Sequence, residues 1–299
     1  MTRAYKYRFS VVIPCFNEAD FIGATLSSLR AQDISEKYEV IVVDNNCTDE
    51  TVKIAKQYGA RIVNEKRGGV CFARQTGTLK ARGEIVLSTD ADTTFSPNWL
   101  STIDKSFRDN EKLIAVAGPC RYIDGPWWGK LYTHFLFTSV YVYYLLTGRP
   151  FYITATNVAF RKSAWEGYNT LSVQGGDELD LLHSLRNKGE VRFDNSNPTY
   201  TSGRRLCKGF TYNFFITFLF YYLGAYYINK IFKRTFIGSA PAFRSNGKLR
   251  ASPILSIRLA SFFALVAVGF IAIPFLRRLV TDNIMDTSGV FKGIWRDLT

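Results

Sequence analysis

Asp90-Ala91-Asp92 follows a short apolar run, Ile85-Val86-Leu87. The run reads as a buried strand. Its two carboxylates then stand at the carboxyl end, where open α/β sheets bind their ligands. Two carboxylates facing one crevice repel each other unless a cation lies between them. Hard oxygens at that spacing suit Mg2+ or Mn2+ bridging to a diphosphate. Asp-x-Asp alone also describes a polar turn after a strand. Other groups must therefore decide. Pro14-Cys15-Phe16-Asn17-Glu18 closes one apolar run, and Asp44 closes another. Arg74 lies one helical turn beyond Arg67-Gly68-Gly69, where glycines let backbone approach a ligand. Asp177-Glu178-Leu179-Asp180 is a third acidic stretch. Either Asp177 or Glu178 could take a proton from a hydroxyl, although acids are also favourable at a plain helix start. Asp180 suits a role in orienting that loop or capping its helix.

These groups need elements to position them. Residues 9–14, 39–43, 61–63 and the run ending at Asp90 read as strands, separated by helical spacing. Thr48 can cap the helix over 50–58, and Gly59 ends it. The order is β-α-β-α-β-α-β with short connections, which predicts a parallel sheet with helices on its faces. Beyond it the pattern predicts a helix over 96–110, a strand over 113–117, an aromatic helix over 127–147 and a strand over 152–160 carrying Asn157. A helix follows Asp177-Glu178, then a short strand over 191–193. His134 and His183 are not spaced like ligands and read as structural.

The ordered set of strand-end motifs resembles the family 2 glycosyltransferases of the GT-A fold, over roughly residues 8–195. The resemblance implies a Rossmann-like α/β domain with a mostly parallel sheet and helices on both faces. It implies that Pro14, Asn17 and Glu18 line the base and ribose of a nucleotide-sugar, and that Asp44 receives the base ring. It implies that Arg74 faces the diphosphate. Asp90 and Asp92 fit the metal motif, with Asp92 the direct ligand of Mg2+ or Mn2+. The family's acidic loop usually runs Glu-Asp, with the second residue as general base. Here the order is Asp177-Glu178, so strict alignment gives Glu178 the base position. Arg204 and Arg205 stand where related enzymes place basic residues near phosphates or acceptor. A juxtamembrane charge pair would look the same. The Gln-x-x-Arg-Trp motif of processive synthases is absent.

The 299-residue chain carries a net charge of +13 and 47% hydrophobic residues. No Asp or Glu occurs between Asp194 and Asp282. The excess charge therefore gathers in the last third, among apolar and aromatic runs, the composition of a membrane-surface element. A nucleic-acid face would not carry two apolar runs this long. The domain boundary is expected at 200/201, with an interfacial helix near 208–232 and a transmembrane or re-entrant helix near 254–276. The aromatic surface over 127–147 suits lipid and a second subunit alike. The five cysteines lack metal spacing and read as reduced. No signal peptide is apparent, so the catalytic part is expected on the cytoplasmic side of a membrane. Together these features predict a metal-dependent, inverting hexosyl transfer to polyprenyl phosphate or a glycolipid, resembling the dolichyl-phosphate glycosyltransferases. A transferase extending a saccharide or lipid-linked oligosaccharide is one alternative. A silent nucleotide-sugar-binding membrane protein and a sugar-phosphate nucleotidyltransferase are others. The last lacks its Gly-rich basic loop after the first strand.

Overall fold

The computed structural model describes residues 5–168, 176–235 and 237. The chain divides into two compact units, Met1–Arg244 and Ser245–Thr299, and all described residues belong to the first. The helix expected near 254–276 lies outside the described residues.

The first half alternates as its apolar pattern predicts. The elements are β1 (Tyr7–Cys15), α1 (Ala19–Arg30), β2 (Tyr38–Asp44), α2 (Thr51–Gln57), β3 (Arg61–Asn64), α3 (Val70–Lys80) and β4 (Gly83–Ser88). Then come β5 (Thr93–Phe95), α4 (Trp99–Asp109), β6 (Leu113–Ala117), β7 (Cys120–Tyr122), α5 (Trp127–Thr147) and β8 (Val158–Arg161). The described part ends with α6 (Gly176–Arg186), β9 (Glu190–Phe193), β10 (Thr199–Thr201), a 3-10 turn (Arg204–Lys208), a π-helix (Tyr212–Gly224) and α7 (Ala225–Phe232).

Among the described residues, seven strands form one sheet in the order β3-β2-β1-β4-β8-β6-β9. All neighbours are parallel except β8, which runs antiparallel to both β4 and β6. Both faces of the central strands are covered. Phe9, Val11 and Ile13 of β1 join one apolar cluster with α1 and α4, while Val12 joins the other with α3 and α6. Burial on both faces explains why these strands read as continuous apolar runs. Gly77 lets α3 lie close on the sheet, since a Cβ there would collide with Val12 and come 2.8 Å from Val43 Cγ2. That close seat sets the height of Arg74, one turn earlier.

Four expectations are corrected. β4 stops at Ser88, so Asp90 lies past the strand in a turn, although Thr89 N–H still donates to Val12 O (3.2 Å). The strand expected over 152–160 is confined to Val158–Arg161. The preceding residues are irregular because their polar groups bond locally, as in Thr156 N–H to Thr154 Oγ1 (3.3 Å). Thr48 does not cap α2. Its N–H and hydroxyl both donate to Asn17 Oδ1, and Asp49 accepts from Thr51 N–H at 3.0 Å instead. A second, three-stranded sheet, β5-β10-β7, was not expected. Its strands have three residues each, too few to show a period.

A helix does occupy the region predicted near 208–232, in π form over Tyr212–Gly224 and α form beyond. Among the described residues no helix is long and apolar enough to cross a membrane.

Candidate active site

Two arginines organise the carboxylates at the carboxyl edge of the sheet. Arg74, on α3, was expected to face a diphosphate. Instead it is buried between two acids. Its Nη1 donates to Asp177 Oδ2 at 2.5 Å and its Nη2 to Asp90 Oδ1 at 2.8 Å. Arg74 is 6% exposed and Asp177 1%. Burial works against the Arg74 charge, but Asp177 and Asp90 outweigh it and hold its pKa well above the usual value. A buried guanidinium needs such charged partners within the protein.

Arg204, in the 3-10 turn after β10, spans the other side. Its Nη2 donates to both Glu18 oxygens (2.9 and 2.6 Å) and lies 3.1 Å from Asp92 Oδ2. Its guanidinium carbon stands 4.2 Å from the centre of the Phe21 ring. Burial and the neighbouring Asp90 charge raise the Asp92 pKa, while Arg204 and Arg205 pull it back. The loop carrying Arg204 is pinned by local bonds. Ser202 N–H donates to Asp92 O (3.2 Å), and Ser202 Oγ donates to Asp124 Oδ2 (2.9 Å). Arg205 is exposed beside it.

Asp44, Asn17 and Pro14 lie together where β1 and β2 end. Register pairs Cys15 with Asp44 and Pro14 with Val43. Asp44 Oδ1 accepts from Cys47 N–H (2.8 Å). Asn17 sits at φ 54°, a left-handed geometry that Asn tolerates better than most residues. Asn45, which the sequence did not single out, ties this edge to the glycine turn. Its Nδ2 donates to Glu65 O and Arg67 O, and its Oδ1 accepts from Gly69 N–H at 2.9 Å. Gly69 has φ 133°, which favours glycine.

The acidic pair opens α6 on the opposite side of the Asp90 turn. Glu178 accepts from Tyr152 Oη (2.8 Å) and Ala155 N–H (2.7 Å). Burial first, then the Asp177 charge, pushes its pKa up to about 7, against the pull of the Ala155 hydrogen bond. Tyr152 and Thr156, whose hydroxyl donates to Asp90 Oδ2 (3.2 Å), therefore belong to the site. The sequence missed them because their stretch read as a strand. The alternating hydroxyls of 152, 154 and 156 were the available signal. Asp180 faces away, accepting from Tyr226 Oη (2.8 Å) and so fastening α6 to α7. Asn157, expected in a strand, instead binds Trp99 Nε1, Pro119 O and Asn197 O in the core.

Among the described residues, no group of three or more His, Cys, Asp or Glu is arranged to hold a metal ion. A pair of carboxylates is nevertheless the donor set that Mg2+ and Mn2+ use when phosphate and water supply the remaining ligands. Asp90 leaves 36% of its side chain open. Asp90 and Asp92 thus fit such an ion.

A mostly parallel α/β sheet with this acidic carboxyl edge defines a GT-A-like domain. Residues 10–168 match glycosyl transferase family 2. That is more than half of the chain, which belongs to this family. An uncharacterized glycosyltransferase of Mycobacterium tuberculosis is 37% identical over 100 residues, 32% of this chain and 44% of that protein. The glycosyltransferase AglE of Haloferax volcanii is 35% identical over 98 residues, covering 30% and 32%. The chain thus spans less than half the length of these relatives. Among solved structures, Staphylococcus aureus TarS in complex with UDP-GlcNAc has a TM-score of 0.53 at 18% identity, covering 66% of this chain and 59% of that one. The mannosyltransferase PcManGT of Pyrobaculum calidifontis, in complex with GDP-Man and Mn2+, has a TM-score of 0.51 at 21% identity, covering 67% and 58%. At such identities these two share the fold.

Proposed function

We propose that the enzyme moves a sugar from a nucleotide-sugar to a lipid-linked acceptor, polyprenyl phosphate or a glycolipid, at the cytoplasmic surface of a membrane. One observation carries the reading. Glu18, Arg74, Asp90, Asp92, Asp177 and Arg204 come from five separate segments and meet at one sheet edge through direct ion pairs. Charges so gathered suit an anionic, phosphate-bearing ligand and its counter-ion. Pro14, Asn17, Glu18 and Asp44 line the base and ribose. Asp90 and Asp92 hold Mg2+ or Mn2+, which when bound neutralises the departing diphosphate. The complexes of TarS with UDP-GlcNAc and of PcManGT with GDP-Man and Mn2+ support this donor and metal class, with a lean to uridine or guanosine diphosphate.

Glu178 is the general base. Asp177 is committed to Arg74, whereas Glu178 is held by neutral donors and titrates near neutrality. The acceptor oxygen bonds the sugar's anomeric carbon as that carbon's bond to the diphosphate breaks. The acceptor proton passes to Glu178, and the configuration inverts. Arg204 has a buried Nε–H without a hydrogen-bond partner, a donor that a phosphate oxygen would satisfy. Arg205 extends the same basic edge towards the acceptor. The acid-free, basic and aromatic last third favours the lipid acceptor. An acceptor that is already a phosphate anion needs no base, and Glu178 would then position it.

The test is nucleoside diphosphate release from a panel of nucleotide-sugars, with and without lipid extract. We expect release with one donor, raised by lipid and lost in Asp92→Ala with the fold intact. Full activity of Asp92→Ala, or release indifferent to every donor, would count against the proposal. Unchanged transfer in Glu178→Gln would point to the phosphate acceptor.

A further inference from the structure

Helix α5 is amphipathic in the inverted sense. The residues it buries are Gly129, Thr133, Phe137 and Val140. Its outward stripe is Trp127, Leu131, Phe135, Val142, Leu145 and Leu146, all exposed. Leu146 is 80% exposed, Trp127 74% and Phe135 67%. An apolar stripe running the length of a 21-residue helix is more than scattered surface residues, and marks a surface that something covers.

The charges around the stripe identify the cover. On α5 and in the turn that follows it there is no Asp or Glu, while Lys130 and Arg149 supply positive charge. At the end of α5, where Gly148 closes the helix at φ 69°, a cleft of about 700 Å3 is lined by Arg149, His183, Arg186 and Asn187. The acid of that cleft, Glu190, accepts from Asn110 Nδ2 (2.7 Å) and lies 3.8 Å from Arg192. Burial, with Arg149 nearby, lowers the Arg186 pKa from its usual value, and a neighbouring anion would reverse that. At its other end α5 meets the second exposed aromatic helix, Trp128 lying edge-on to Phe210 at 5.5 Å. Phe210 and Phe215 continue the exposed apolar surface there. An apolar stripe on a helix without a carboxylate, with basic residues at its end, suits the interface of a bilayer bearing anionic lipids.

We propose that the outward stripe of α5 seats on an anionic lipid surface, with the Arg149–Arg186 cleft receiving a lipid phosphate at its end. The inference shares the bilayer with the proposed acceptor but stands on α5 itself. It also gives the seat a link to the chemistry. Phe137 packs against Tyr152 (6.2 Å between ring centres), and Tyr152 holds Glu178.

The test uses the full chain and vesicles of brominated phosphatidylglycerol, with brominated phosphatidylcholine as the neutral control. Trp127 emission is taken as the difference between parent and Trp127→Phe. We expect this component to fall at least about twofold on phosphatidylglycerol. Phe135→Gln/Leu146→Gln should weaken vesicle binding about tenfold. Arg149→Gln/Arg186→Gln should lose the preference for phosphatidylglycerol. A parent that binds vesicles with Trp127 emission unchanged overturns the seat and leaves the proposed acceptor standing. Trp127 shielded from acrylamide without lipid, in a dimer by sedimentation, overturns it in favour of a second copy. Lipid stimulation of nucleoside diphosphate release, measured on the same preparation, reports the acceptor reading separately.

Discussion

Asp90 and Asp92 are one residue apart yet belong to contrasting surroundings. Asp90 leans on Arg74, a buried cation on α3 whose other partner is the buried Asp177. Asp92 leans on Arg204, held in a turn after β10 and shared with Glu18 beneath the Phe21 ring. The first arrangement is built into the packing of α3 on the sheet, at the contact Gly77 permits. The second hangs from a short loop pinned by Asp124 and Ser202. The turn is thus anchored on one side and closed on the other by a cation with one donor, Arg204 Nε–H, still without a partner. Ion pairs of similar length therefore do different work: one is fixed by the packing of α3 on the sheet, and the other is carried by a loop and keeps a donor to spare.

The anchored side should break hardest. Arg74→Ala strands Asp90 and Asp177, and removing one partner of a buried pair costs about 3–5 kcal/mol. Chemical denaturation should show that loss, while Arg74→Lys recovers part of it. Next in size is Glu178→Gln, with transfer to a hydroxyl acceptor falling by about 10²–10⁴. The parent's rate should rise with pH through about 7, because the base must be ionised, and the rise should vanish in the variant. The same group fixes a stability sign. Its proton is held more tightly in the fold than in the unfolded chain, so the parent loses stability as pH climbs from about 5 to 8. Thermal melts of Glu178→Gln should lack that decline.

On the loop side the effects shrink. Arg204→Gln, which keeps a neutral donor beside Glu18, should cost less stability than Arg74→Ala and raise KM for the donor about tenfold or more. A stability loss as large as that of Arg74→Ala would erase the distinction between the two sides. Smallest is Tyr226→Phe, which removes one hydrogen bond between α7 and Asp180. It should cost about 1 kcal/mol in melting experiments without altering kcat.

The anchored half was the more legible in sequence. Apolar runs, helical spacing and glycine stops delimit β1 to β4, and each carboxylate of interest follows such a run. What sequence hid was pairing across distance. Arg74 meets Asp177 103 residues away, and Arg204 meets Glu18 186 residues away. Neither arginine carries any local sign of its partner. Residues 151–157 misled for another reason. Their alternation imitates a strand, but Tyr152 and Thr156 turn their hydroxyls to Glu178 and Asp90, and backbone N–H groups go to Glu178 and Thr154. β5, β7 and β10 are too short to leave any pattern. The outward stripe of α5 was visible as aromatic content, but its direction came from the burial of Gly129, Thr133 and Val140.

The central claim is that this carboxylate turn holds a nucleoside diphosphate through a divalent ion. Titration calorimetry of uridine and guanosine diphosphates, with Mn2+ and with chelator, tests it most directly. Binding of one nucleotide that needs Mn2+ and disappears in Asp92→Ala, with the variant's melting curve unchanged, is the predicted result. Binding of equal strength with chelator, or in Asp92→Ala with Mn2+, would contradict it.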